Sequence, residues 1–116
     1  MKLAVFFSGI GYHCDKPLLY FTRELVKQAG FDEIINLSYA CQADNIRGNN
    51  RKMREVGEIL YGQAERSLAE VDFTQYDEIL FVSKSIGTAV AAAYAMRHQV
   101  ICKNIWYTPL AQTFDF

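Results

Sequence analysis

The chain has 116 residues, 51% hydrophobic and 22% charged, enough for one domain with a real core and too apolar for disorder. A formal net charge of −1 supplies no overall field to attract nucleic acid or an anionic membrane, so neither partner is expected. Cys14, Cys41 and Cys102 are odd in number and share no CxxC spacing, which suggests neither a disulfide framework nor a zinc knuckle and fits a reducing cytoplasm.

The opening MKLAVFFSGIG loosely imitates a signal peptide, but it lacks a small-x-small cleavage pattern and runs straight into a glycine turn. Leu3 to Phe7 therefore reads as a first strand, a continuous apolar run suited to a sheet covered on both faces. Asp15 is placed to cap a following helix and Pro17 fits its first turn. Leu18, Phe21, Leu25 and Ala29 recur at helical spacing, and Gly30 ends the helix.

Glu33 to Tyr39 reads as a second strand, followed by a polar loop through Gly48. Asn49 or Asn50 caps a long helix reaching about Val71, with Met53, Val56, Leu60, Ala64 and Leu68 as its apolar stripe. Arg47, Arg51, Lys52 and Arg54 form the one local cationic excess, read as a solvated helix face. Glu78 to Ser83 is the third strand, Ile86 to His98 an alanine-rich third helix, and Val100 to Tyr107 the fourth strand. No apolar run approaches the roughly 20 residues of a membrane span.

Strands alternating with helices predict an α/β fold, a three-layer sandwich around a short parallel four-stranded sheet. Ligands of such sheets sit beyond the carboxyl ends of the strands. Those ends carry Ser8 to Cys14, Ala40 to Asn50, Ser83 to Gly87, and Thr108 onward.

Several cofactor motifs fail there. Gly9 and Gly11 are followed by Cys14 where a dinucleotide fingerprint needs a third glycine, and no Gly-Lys-Ser/Thr follows as a P-loop requires. Cys41 and Arg47 have a phosphatase-like spacing, but Asp44 would repel a phosphate and the loop has no glycine to turn its amides inward. His13, Cys14 and Asp15 are adjacent rather than spaced to converge on a metal ion. No metal or other cofactor is expected.

The corner Ser83-Lys84-Ser85-Ile86-Gly87 is different. A nucleophile elbow needs a sharp strand-to-helix turn with small residues two before and two after the nucleophile, so that crossing backbones do not clash. Ser83 and Gly87 meet that need around Ser85. The amino end of the next helix favours developing negative charge. Ile86 and Ile10 are the expected backbone amides of an oxyanion hole, the latter from the Gly9-Ile10-Gly11 turn.

With these residues the chain resembles the α/β-hydrolases, in particular small bacterial members. FFSGIGYHCDKPLLYFTREL is similar to their opening strand, oxyanion turn and first helix, FVSKSIGTAVAAAYA to the elbow and its helix, and IWYTPLAQTF to the strand and turn that follow. The resemblance covers nearly the whole chain and implies strand order 2-1-3-4, Ser85 as nucleophile, and hydrolysis of an ester or related acyl bond. It implies Gly9, Gly11, Tyr12, Tyr107 and Thr108 as pocket residues around a small acyl substrate.

It also implies a single domain, residues 1–116, lacking the C-terminal part of that fold. The family order is serine, acid, histidine, and nothing beyond Gly87 offers the last two in that order. His13, on the loop beside the oxyanion turn, reads either as a loop histidine that shapes the pocket or caps a helix or as a substitute base. Without a base Ser85 is a weak nucleophile, so the chain alone is expected to be weakly active or inactive. The alternative is a noncatalytic small-ligand binding or interaction module on the same core, and a flavodoxin-like flavin or nucleotide binder rests on parallel topology alone. The fourth strand, an apolar edge over residues 100–107, predicts a homodimer.

Overall fold

The computed structural model describes residues 1–8, 17–37, 50–84 and 86–107, with residues 50–54 as backbone only. Strand β1 (Lys2–Phe7) leads through helix α1 (Pro17–Gln28) to β2 (Glu33–Leu37), and α2 (Asn50–Ser67) leads to a 3₁₀ turn (Phe73–Gln75). Strand β3 (Glu78–Lys84), helix α3 (Ile86–Arg97) and strand β4 (Lys103–Tyr107) complete the described fold. All strand pairs are parallel and the order is β2-β1-β3-β4, as expected.

The two central strands explain their own sequences. Every residue from Leu3 to Phe7 is buried, as are Ile79 to Ser83, because helices cover both faces. Leu3, Val5, Phe7, Ile79 and Phe81 pack with α2 and α3. Ala4, Phe6, Leu80 and Val82 meet Leu19 and Val26 of α1 on the other face. The Phe81 ring lies 4.9 Å from that of Phe7 and 6.2 Å from that of Tyr94, tying β1, β3 and α3 together. Each such fully buried side chain contributes about 1.5–3 kcal/mol relative to exposure.

Helix α2 buries Val56, Leu60, Ala64 and Leu68 as its spacing predicts; Met53 lies among the residues described as backbone only. The helix stops at Ser67 rather than near Val71, where its bonds tighten to Ala69 N–H to Arg66 O and Val71 N–H to Leu68 O. Asp72 then caps the 3₁₀ turn by accepting from the Thr74 amide at 3.0 Å.

Helix α1 corrects the expected stripe. Its buried line is Leu19, Thr22 and Val26, while Phe21, Leu25 and Ala29 are exposed. Thr22 is buried because its hydroxyl is satisfied twice: it donates to the Leu18 carbonyl at 2.8 Å and accepts from the Tyr107 hydroxyl at 2.8 Å. A count of apolar residues gives no weight to a threonine paid for in this way.

The fourth strand also starts later than expected, at Lys103 rather than Val100. Gln99 adopts φ 54, its amide bonds to Met96 O, and the Val100 amide bonds back to Ala95 O at 2.9 Å. These two bonds form a Schellman cap that consumes the residues after α3. Gly30 closes α1 by the same motif with φ 94, its amide on Lys27 O and that of Phe31 on Val26 O.

Candidate functional site

Strand β3 ends at Lys84 and α3 begins at Ile86, so a single residue, Ser85, separates them. Its own placement lies outside the described residues, and so do those of Gly9, Ile10, Gly11, Tyr12, His13 and Thr108. Of the residues expected at the site, the structure describes Ile86 and Tyr107, together with the flanking Ser83 and Gly87.

The flanks are tightly constrained. A Cβ on Gly87 would stand 2.4 Å from the Phe7 carbonyl oxygen and 2.5 Å from that of Ser8. The first turn of α3 thus crosses directly over the carboxyl end of β1, at a separation only glycine permits. Ser83 is fully buried and stands beside Phe7 on one side and Trp106 on the other. Cross-strand neighbours in register share a face, so this row lies on the α3 side with Phe81.

Ser83 is notable for a second reason. Its Oγ is buried and has no hydrogen-bond partner among the described residues, a condition that costs about 1–3 kcal/mol when nothing else satisfies the group. Reasoning from sequence used Ser83 only as a small residue. The signal for more was a hydroxyl closing the otherwise apolar run of β3.

Ile86 opens α3 with its side chain buried in the core, so only its backbone could meet a ligand at this end of the helix. The first four amides of a helix have no intrahelical acceptor and carry the positive end of the dipole. Tyr107 stands at the carboxyl end of β4 on the other face of the sheet, packed with the α1 cluster, its hydroxyl held by Thr22. That interaction joins residues 85 apart in sequence and was not legible from either one.

An acid–histidine pair exists, but elsewhere. His98 Nε2 lies 2.9 Å from Glu65 Oε2, and the imidazole stacks on Tyr94 at 4.2 Å and 19°. This pair closes the far end of α3, and the helix's 12 residues put it about 18 Å from the corner at 1.5 Å per residue. It cannot reach the 3 Å separation that a general base for residue 85 requires. Nearby, the Arg97 guanidinium lies 4.4 Å from the centre of the Tyr61 ring, and burial pushes the Tyr61 and Tyr94 hydroxyls above their ordinary values.

Among the described residues no group of three or more His, Cys, Asp or Glu side chains could hold a metal ion. Cys102 is a free thiol whose pKa is raised, first by burial, which disfavours the reactive thiolate. No helix among the described residues is long and apolar enough to cross a membrane. Comparison with protein-family models, with curated proteins and with solved structures returns no match in any of the three.

Proposed function

We propose that the β3–α3 corner is a nucleophile elbow of the α/β-hydrolase kind, with Ser85 as a nucleophile toward an ester or related acyl bond. The observation that carries this reading is the contact of Gly87 with the backbone of Phe7 and Ser8. An elbow needs a residue without a Cβ at that point, two positions after the nucleophile, and a buried small residue two before it; Gly87 and Ser83 occupy both positions.

In this reading the Ser85 hydroxyl attacks the acyl carbon, and the carbonyl oxygen becomes negative as the tetrahedral intermediate forms. The Ile86 amide at the start of α3, with that of Ile10 from the loop after β1, stabilises the oxyanion. A base must take the hydroxyl proton. His13 is the candidate in this chain, and the leaving alcohol departs when it regains that proton. Water then repeats the sequence on the acyl-enzyme. Reaction without a complete triad is expected to be slow, because loss of triad members leaves only the fraction of the rate owed to binding and the oxyanion hole.

A second reading is favoured by one observation: the single described acid–histidine pair, Glu65 with His98, sits at the wrong end of α3. On that reading the same pocket binds a small acyl ligand without turning it over. Both readings keep a reducing cytoplasm, which the odd number and the spacing of the cysteines suggest. Covalent capture of Ser85 by a fluorophosphonate, read by intact mass, separates them.

A further inference from the structure

Ser83 carries a hydroxyl that the reaction proposed above does not use. The residue is fully buried. Among the described residues it alone has a buried polar side-chain atom without a hydrogen-bond partner. Ser8 and Thr22 show the contrast. The Ser8 hydroxyl donates to the Leu37 carbonyl at 3.4 Å, and that of Thr22 donates to Leu18 and accepts from Tyr107. A buried polar group in the condition of Ser83 calls for a reason.

Packing does not supply one. The pattern of an elbow asks only for a small residue two places before the nucleophile, most often glycine. Glycine or alanine would fill the place without a polar atom to bury. The neighbouring side chains do not supply one either. Phe7 stands beside Ser83 in register on β1, Phe81 precedes it on the same face of the sheet, and Ile86 and Gly87 open α3 on that face. None of these has a polar side chain. What this end of the sheet does hold is polar main chain. Gly87 lies against the carbonyl groups of Phe7 and Ser8, and the first amides of α3 have no acceptor within the helix.

We propose that Ser83 is a positioning residue for the attack by Ser85, an inference that rests on the reading of the corner as an elbow. Wholly covered, Ser83 does not touch the substrate. It acts through the first turn of α3, where the Ile86 amide is to hold the oxyanion. As negative charge develops on the acyl oxygen, the turn is drawn toward it, and the Ser83 hydroxyl closes a hydrogen bond with the main chain of that turn. Rotation of χ1 among its staggered positions moves the hydroxyl without moving the strand. An interaction made in the transition state and absent before it counts wholly toward the rate. Groups that serve a reaction are commonly kept at a cost in stability, which accounts for a hydroxyl where packing asks for none.

Fluorophosphonate labelling, followed by intact mass at several probe concentrations, tests this. In that reaction the Ser85 oxygen bonds to phosphorus, fluoride leaves, and the hydroxyl proton passes to the base. Ser83→Ala and Ser83→Gly both keep a small residue. Each is expected to lower the maximal labelling rate about tenfold, the effect of one such bond, with the probe concentration at half-maximal rate unchanged. Gly57→Ala, within α2, is the control for added stability alone and should label as the parent does. Labelling of both Ser83 variants at the parent's rate would overturn the inference and leave the elbow reading in place. So would a change confined to the half-maximal concentration, or a loss of rate shared with Gly57→Ala. A parent protein that gains no adduct would overturn the elbow reading and this inference with it.

Discussion

Gly87 lies so close to Ser8 that a single added methyl group would meet the Ser8 carbonyl oxygen at 2.5 Å and its neighbour on Phe7 at 2.4 Å. Both obstacles are backbone, so no side chain can swing aside. Gly87→Ala is therefore expected to cost about 3 kcal/mol, the upper range for overpacking a filled site. Gly57, inside α2, has nothing within 4 Å of the same added atom. Gly57→Ala should stabilise by about 0.5–1 kcal/mol through helix propensity. Urea unfolding of the two variants checks the contrast, and equal effects would remove the case for a close crossing.

Ser83 makes the opposite prediction from the same corner. Its hydroxyl is buried without a partner among the described residues, so Ser83→Ala removes a polar group that those residues leave unsatisfied. Stability is expected to rise by about 1 kcal/mol, seen as a higher urea midpoint at unchanged slope. A loss of stability would mean that the hydroxyl is bonded in solution, through a buried water for example.

The two helix caps differ in a way that can be measured. Gly30 and Gln99 hold the same left-handed position, with φ 94 and φ 54. Gly30→Ala should cost about 1 kcal/mol, since nothing but conformation opposes the added atom. Gln99→Gly should gain about 0.5 kcal/mol by relieving the strain of a side chain in that region. Thermal unfolding of the pair should move in opposite directions.

Acid should act through Glu78. This residue of β3 lies 2.9 Å from Lys103 and 3.4 Å from Lys2, on or beside both neighbouring strands. The hydrogen bonds from Lys103 and then Lys2 hold its carboxyl below its ordinary 4.5. A depressed carboxylate stabilises the fold fully above that ordinary value and loses the contribution as pH falls through the lower, folded value. Glu78→Gln should therefore lower the melting temperature at neutral pH, and the gap to the unaltered protein should close as acidification carries the carboxyl through its lowered folded value. A gap that stays constant with pH would assign the effect to packing instead.

What could be read from the residues follows from where the determining interactions lie. Strands β1 and β3 were legible because burial on both faces writes itself as an unbroken apolar run. The turn from β3 to α3 was legible because the apolar run ending at Ser83 gives way at once to an alanine-rich helix. The buried face of α1 was not, because Thr22 owes its burial to a hydroxyl on Tyr107, a partner far along the chain. The start of β4 was misplaced because Gln99 enters the left-handed region without being glycine, so nothing local announced that Val100 belongs to a cap. The partnership of His98 with Glu65 was likewise invisible, since it depends on how α2 and α3 pack.

The central claim is that Ser85 occupies a nucleophile elbow, and intact-protein mass after exposure to a fluorophosphonate tests it most directly, with Ser85→Ala as control. The account predicts a single adduct that forms slowly on the folded protein and is absent from the variant. A folded protein that gains no adduct, or one whose adduct persists in Ser85→Ala, would contradict it; the first result would leave the binding-module reading in its place.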